Sequence, residues 1–150
     1  MHIVLVEPEI PQNAGNIARL CALTECQLHL VGSLGFKIND YYLRRAGLDY
    51  WECLTVSYHP SLEELMGAVK SKRLYYVSTK AKRLYTQVSY NWEDYLVFGS
   101  ETKGLPRELI ELNTETSIKI PMWGRKPRSH NLSNSAAIVL YEALRQIKGF

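Results

Sequence analysis

The sequence has few of the features that mark the special classes of protein. Its 150 residues include three cysteines, Cys21, Cys26 and Cys53, and no CxxC pair, so neither a disulfide framework nor a zinc knuckle is expected. We expect reduced thiols packed as small hydrophobic groups. No apolar run approaches the ~20 residues of a membrane span. No basic segment precedes the first apolar run, Met1–Val6, so we predict no signal peptide and a cytoplasmic location.

A strong net charge is also missing. Lys and Arg total 18 against 15 Asp and Glu, and the net charge of +3 is below that typical of an independent nucleic-acid-binding domain. The charge is nonetheless uneven, because Lys70–Arg83 contains six basic residues and no acid, and Lys119–His130 contains four and no acid. One such run is usually a solvated face, but two runs favour contact with a polyanion.

Short apolar runs alternate with longer amphipathic stretches, which is typical of an α/β fold with a mostly parallel sheet flanked by helices. The length predicts a single domain over residues 1–150. Asn13 is the predicted N-cap of the first helix, and Tyr141 is expected to pack in the core from the last, with the substrate or a dimer interface as its alternatives. Strands are predicted at 3–6, 27–31, 74–78, 95–98 and 117–120, and helices at 13–23, 62–69, 106–112 and 133–147.

Two of the loops that follow apolar strands are richer in polar groups than a plain connection requires. The first, 7–16, leads to Arg19. In the second, 99–106, the two glycines have phosphate-loop spacing, but Leu105 and Pro106 follow where Lys and Ser or Thr would stand, which argues against a nucleoside triphosphate site. The absence of GxGxxG counts against an ordinary dinucleotide site. A tight turn remains at the carboxyl end of a strand, where open parallel sheets bind ligands.

A third polar segment, Ser129–Ser135, precedes the last helix. Either Asn131 or Ser133 would suffice as its N-cap, so the remaining Ser and Asn groups are available for other contacts. His130 stands alone, without a second ligand at metal-binding spacing, so no metal site is expected. No Gly-x-Ser-x-Gly turn is present, so acyl transfer has no support.

Four segments carry a resemblance to a known family: Asn13–Arg19, Phe98–Pro106, Ile120–Met122 with Ser129–Asn134, and Leu43–Tyr50. The first three resemble the three ordered motifs of the SPOUT RNA methyltransferases. Within that superfamily the chain is most similar to the TrmL-type tRNA ribose methyltransferases of the wobble nucleotide. The resemblance implies a deep C-terminal trefoil knot, a homodimer and a tRNA partner bound through its anticodon stem-loop.

The same resemblance implies methylation of the ribose 2′-hydroxyl of the wobble cytidine, with carboxymethylaminomethyl-uridine as a further acceptor. S-adenosylmethionine would be the methyl donor, and no metal is implied. The catalytic positions carried over are Arg19, which would reach the partner subunit's donor, and Asn13, Glu101, Ser129 and Asn131, which would orient loops and substrate. The donor-binding positions carried over are Val77, Ser78, Thr79, Gly99, Glu101, Gly104, Ile120, Met122, Ser129 and Leu132.

Other functions stay open at this point. The chain could methylate the ribose of another tRNA or rRNA nucleotide, or it could be a catalytically silent RNA-binding module that keeps the fold. The intact polar motif positions argue against the silent module. An enzyme acting on a free nucleotide would have no use for the two basic runs.

Overall fold

A seven-stranded sheet forms the centre of the molecule in the computed structural model, which describes residues 1–37, 54–125 and 129–150. The strands are β1 (His2–Val6), β2 (Gln27–Val31), β3 (Val56–His59), β4 (Leu74–Val77), β5 (Arg83–Leu84), β6 (Tyr95–Phe98) and β7 (Ser117–Lys119). Every strand pair is parallel, and the strand order is β3-β2-β1-β6-β4-β7-β5.

Helices cover both faces of this sheet, so its central strands read as continuous apolar runs. The helices are α1 (Pro11–Thr24), α2 (Leu62–Ala68), α3 (Arg107–Leu112) and α4 (Leu132–Lys148). Side chains alternate along β1: Ile3 and Leu5 join the core under α1 and α4, whereas Val4 joins the core under α2 and α3. This arrangement confirms the predicted α/β class with a mostly parallel sheet.

Two side-chain placements expected from the sequence are wrong. Helix α1 begins at Pro11 with Ile10 as N-cap, so Asn13 lies inside the first turn and its amide is turned to other loops. Tyr141 is 49% exposed rather than in the core, because the buried face of α4 is formed by other residues, such as Leu140 and Leu144. Of the two candidate caps of α4, Asn131 is the one used.

The structure separates the first basic run, Lys70–Arg83, into residues before β4 and residues after it. Lys72 and Arg73 precede β4 and pair with Glu93 and Asp94, and Arg83 on β5 pairs with Glu115. Half of the run is therefore neutralised by acids from elsewhere in the chain, and it does not form one continuous basic face. Part of the second run, residues 126–128, lies outside the described residues.

A chain of imidazoles crosses three strands of the sheet. His2 Nδ1 lies 3.0 Å from His29 Nε2, and His29 Nδ1 lies 3.1 Å from His59 Nε2. The His2 ring also stacks on Tyr95 at 4.0 Å between centroids. Burial lowers the pKa of both His2 and His29 to about 4, so both rings are neutral at pH 7.

The remaining fold predictions have mixed outcomes. Cys21 and Cys26 are buried free thiols, as expected, while Cys53 and the segment Leu43–Tyr50 lie outside the described residues. Among the helices of the described residues, none is long and apolar enough to cross a membrane. The single-domain organisation and the trefoil knot stay predictions.

Candidate active site

Four neighbouring strands end at one edge of the sheet, and the loops that follow them meet around a cavity of about 340 Å³. These strands are β1, β6, β4 and β7, whose carboxyl ends lie side by side. The carboxyl edge of an open parallel sheet is where such folds bind ligands, and the volume lies within the range of small-molecule sites. The walls comprise Ile10, Asn13, Val77–Lys80, Phe98–Leu105, Ile120, Met122, Ser129–Leu132 and Ser135.

The carboxylate of Glu101 joins the loop after β6 to the start of α1. Its Oε2 accepts the Glu9 N–H at 2.8 Å, and its Oε1 accepts the Ile10 N–H at 3.1 Å and the Asn13 amide N–H at 2.9 Å. The N-terminal end of a helix is electropositive, so a carboxylate is favoured at this place. Glu101 therefore fixes the first loop to the second.

A return contact between the same loops strengthens this connection. The Glu9 carboxylate accepts the Thr102 backbone N–H at 3.1 Å and the Thr102 hydroxyl at 2.7 Å. Glu9 and Glu101 thus each bind the other's loop. Charge-assisted hydrogen bonds of this kind are the stronger class, so these contacts join the two loops into one continuous wall.

Asn13 and Asn131 join the third loop to the first. The Asn131 amide donates to Asn13 Oδ1 at 2.9 Å, while Asn13 itself donates to Glu101. Asn131 Oδ1 also caps α4 by accepting the N–H groups of Ser133 and Asn134 at 2.9 and 3.3 Å. The line Glu101–Asn13–Asn131 therefore holds all three polar loops in one arrangement.

Two glycines shape the turn between β6 and α3. A side-chain carbon on Gly99 would overlap the backbone of Gly104 and Leu105, so no larger residue fits there without moving the turn. Gly104 has a φ of +67°, a left-handed conformation that favours glycine, and the space beside it is open. A ligand can consequently approach the backbone of this turn closely.

The structure brings nearly all the predicted site residues to this cavity. All ten predicted donor-binding residues line it, and so do Asn13, Glu101, Ser129 and Asn131 from the catalytic set. Arg19 is different, because it lies on an exposed part of α1 and is not among the lining residues. The roles of all these residues stay predictions.

Sequence reasoning missed several residues of the wall, notably Lys80 and Lys103. Lys103 lies in the polar loop 99–106 and Lys80 in the loop after the predicted strand 74–78, so position after a strand was the available signal. The cavity combines apolar walls, such as Val77, Ile120 and Leu132, with the hydroxyls of Ser78 and Thr79. That mixture suits a flat heterocycle bearing a polar tail. The described residues include no cluster of three or more side chains placed to hold a metal ion.

Comparison with known proteins decides the family. A model of the SpoU rRNA Methylase family matches residues 1–141. The chain belongs to this family. A protein of Escherichia coli strain K12 named tRNA (cytidine(34)-2'-O)-methyltransferase is 47% identical over 148 residues, which cover 98% of this chain and 94% of that protein. A protein of the same name from Saccharophagus degradans is 48% identical over 147 residues, covering 97% and 95%.

Solved structures of the family share the fold. A structure described as "Structural insights into the 2-OH methylation of C/U34 on tRNA" has a TM-score of 0.93 and 39% identity, and the match covers 99% of this chain and 97% of that one. AviRb from Streptomyces viridochromogenes, a SpoU methyltransferase solved in complex with the cofactor AdoMet, has a TM-score of 0.86 at 24% identity, with 97% and 60% covered. The second likeness concerns the fold alone.

Proposed function

We propose that this protein transfers a methyl group from S-adenosylmethionine to the ribose 2′-hydroxyl of nucleotide 34 of tRNA. The observation that carries the proposal is the similarity to proteins named for this reaction over nearly the full length of the chain, at 47 and 48% identity and 97% or more coverage. Both the cytidine and a modified uridine are proposed acceptors. A tRNA substrate also supports a cytoplasmic location.

The cavity fits S-adenosylmethionine as the donor. The ligand has a flat adenine, a ribose and an amino-acid tail, and the cavity offers apolar side chains together with hydroxyls and an accessible backbone turn at Gly104. Val77, Ile120 and Leu132 would enclose the base, and Ser78, Thr79 and Ser129 would offer hydroxyls to the polar parts. When bound, S-adenosylmethionine supplies a methyl group activated by its positively charged sulfur.

The hydrogen-bonded line Glu101–Asn13–Asn131 would act by positioning. These side chains are already partnered with one another at 2.9 Å, so they hold the loops and are not poised to move protons. A fixed cavity lowers the entropic cost of bringing the methyl group and the hydroxyl into line. Loss of any member would leave the walls mobile.

Arg19 would stabilise the negative charge that develops on the 2′-oxygen as it attacks. An arginine is protonated at all ordinary pH values, so it cannot take the hydroxyl proton as a base. A neighbouring RNA phosphate or a water molecule would receive that proton. The guanidinium offers a fixed positive charge near the oxygen, which lowers the energy of the alkoxide-like transition state.

In a homodimer, Arg19 of one subunit would reach the methyl donor bound to the other subunit. Arg19 lies six residues beyond Asn13, about 9 Å along the helix axis, and it does not line the cavity of its own chain. Helices α1 and α4 pack together, and each exposes an apolar residue, Leu23 at 61% and Tyr141 at 49%. A second copy seated on these helices would cover both side chains and place Arg19 at the other subunit's cavity.

The direct test is a methylation assay. The protein is incubated with donor carrying a labelled methyl group and with total tRNA, and the labelled 2′-O-methyl nucleotide is mapped. We expect label at nucleotide 34. Arg19→Ala should lower turnover at least a hundredfold while donor affinity stays within about threefold, because the arginine acts on the transition state. Arg107→Ala removes another exposed arginine, on α3, and should change neither quantity.

The other outcomes decide against parts of the proposal. Donor binding without any methyl transfer would favour the silent RNA-binding module. Label at a different nucleotide would remove the assignment to position 34. An Arg19→Ala variant with near-normal turnover would remove arginine from the mechanism.

A further inference from the structure

Trp123 is the most exposed large hydrophobic residue in the described parts of the chain, with 88% of its surface accessible. Trp92 behaves differently, because it packs against the core and has the Lys148 ammonium 5.2 Å from its ring centroid. Fold stability explains the position of Trp92 but not that of Trp123. An indole held this far out of the core is typical of a surface that contacts a partner.

Trp123 is adjacent in the chain to residues that line the cavity. It follows Met122 directly, and both Met122 and Ile120 line the cavity wall. Trp123 therefore lies at the rim, in the loop after β7. A large substrate that reaches the cavity from outside passes this rim.

Positive charges surround the same rim. Lys80 and Lys103 line the cavity from two other loops and are exposed, and Arg125 is exposed two residues after Trp123. In the parts of the chain that the structure describes, none of the three forms an ion pair. The donor has a positive sulfonium and ammonium and a single carboxylate, so three cations exceed what it could pair with. They suit the phosphates of a nucleic acid.

We propose that Trp123 is a stacking platform for a base of the RNA substrate, with Lys80 and Lys103 contacting the neighbouring phosphates. The proposal rests on the proposed function and adds a determinant of substrate binding to it. An aromatic face and adjacent cations are the combination by which proteins hold unpaired nucleotides, and a loop of single-stranded RNA presents such bases. Stacking on one aromatic side chain changes affinity roughly ten- to hundredfold.

The experiment compares three variants with the wild-type protein. Trp123→Ala removes the ring, Trp123→Phe keeps a smaller one, and Leu112→Ala removes an equally prominent residue, 84% exposed, which lies on α3 and does not line the cavity. Four quantities are measured: KM for tRNA, kcat, donor affinity by calorimetry, and mass by sedimentation.

Trp123→Ala should raise KM for tRNA about ten- to hundredfold and leave donor affinity and mass unchanged. Trp123→Phe should recover most of this loss, and Leu112→Ala should behave as wild type. An unchanged KM in Trp123→Ala, with an active wild type, overturns the stacking proposal and leaves the proposed function intact.

Three further outcomes contradict the stacking role. A fall in mass in Trp123→Ala would show that the ring contacts a second copy of the chain. A matching loss of donor affinity would make Trp123 part of the donor site. If the wild-type protein methylates no tRNA, both the proposed function and the stacking role fail.

Discussion

Partly buried polar groups lie at both ends of the parallel strands: at the amino edge of the sheet, where the strands begin, and at the carboxyl edge, where they end. The polar groups at the two edges have different kinds of partner. At the amino edge, Arg73 forms a two-pronged ion pair with Asp94, at 3.1 Å for Nε–Oδ1 and 2.7 Å for Nη2–Oδ2. Asp94 is 3% exposed and also accepts the Asn91 N–H at 2.7 Å. These residues directly precede the adjacent strands β4 and β6, so the contact closes the junction between two neighbours.

At the carboxyl edge the polar groups connect distant parts of the chain. Glu101 binds Asn13 across 88 residues of sequence, and Asn131 binds Asn13 across 118. These contacts do not close a junction between strands. They hold three loops around an open cavity, so we expect changes at this edge to alter ligand binding and changes at the amino edge to alter stability.

The largest effect is expected from Gly99→Ala at the carboxyl edge. The new methyl group would overlap the backbone of Gly104 and Leu105 and displace the turn that lines the cavity. Donor affinity, measured by calorimetry, should fall at least a hundredfold. Gly67→Ala, in α2 where a methyl group meets open space, is the matched control and should bind donor normally. Affinity within threefold of wild type in Gly99→Ala would show that the turn is not part of the site.

At the amino edge, Asp94→Ala should lower the free energy of unfolding by about 2–3 kcal/mol, because it leaves the Arg73 guanidinium and a backbone N–H without their acceptor. Donor affinity of the folded protein should stay within twofold. Denaturant unfolding and calorimetry measure the two quantities. Glu93→Ala breaks the exposed neighbouring pair with Lys72 and should leave the free energy of unfolding nearly unchanged, because solvent screens exposed pairs. A large loss of donor affinity in Asp94→Ala would contradict the expectation that changes at the amino edge affect stability and not ligand binding.

Glu101→Ala should reduce donor affinity and turnover about tenfold or more, because the first and second loops lose their shared acceptor. The expected loss of stability is smaller than that of Asp94→Ala, about 1–2 kcal/mol, since the site is only half-buried. Glu111→Ala removes an exposed carboxylate on α3 and serves as the control. The contrast fails if Glu101→Ala loses stability while binding donor normally.

The last prediction concerns the imidazole chain, whose effect is confined to acidic pH. Burial holds the pKa of His2 and His29 at about 4, whereas both would titrate near 6.5 in the unfolded chain. Between these values the unfolded chain binds more protons, so the free energy of unfolding falls as pH drops from 6.5 to 4, by roughly 1–2 kcal/mol per unit. Urea unfolding at several pH values measures the slope.

Two substitutions check the source of this slope. His29→Leu, which removes the central ring and leaves His2 in place, should reduce the slope by roughly half. His130→Gln, which removes an exposed ring, should not change it. An equal slope in the wild type and in His29→Leu would show that other groups cause the pH dependence.

Much of the cavity could be predicted from the sequence because its walls are local in sequence. Each wall is a polar segment placed directly after an apolar run, and parallel strands bring their carboxyl ends together. The resemblance supplied the individual positions, and all ten donor residues meet at the cavity. The predicted strands are confirmed, with ends shifted by a residue at most.

The errors come from contacts that no local pattern contains. Asn13 is a residue type that often caps helices, but its amide group forms hydrogen bonds with Glu101 and Asn131, which lie far along the chain. Strand β3 was missed because Ser57 and His59 interrupt its apolar pattern, and β5 because it has two residues. The imidazole chain was also missed, since His2, His29 and His59 meet only through strand register.

The central claim is that the cavity at the carboxyl edge holds the methyl donor. The most direct measurement is a crystal structure of the protein soaked with S-adenosylhomocysteine, the demethylated donor. We expect the ligand between the β4, β6 and β7 loops, in contact with Val77, Gly99 and Leu132. A ligand ordered at another surface, with this cavity filled only by solvent, would contradict the account.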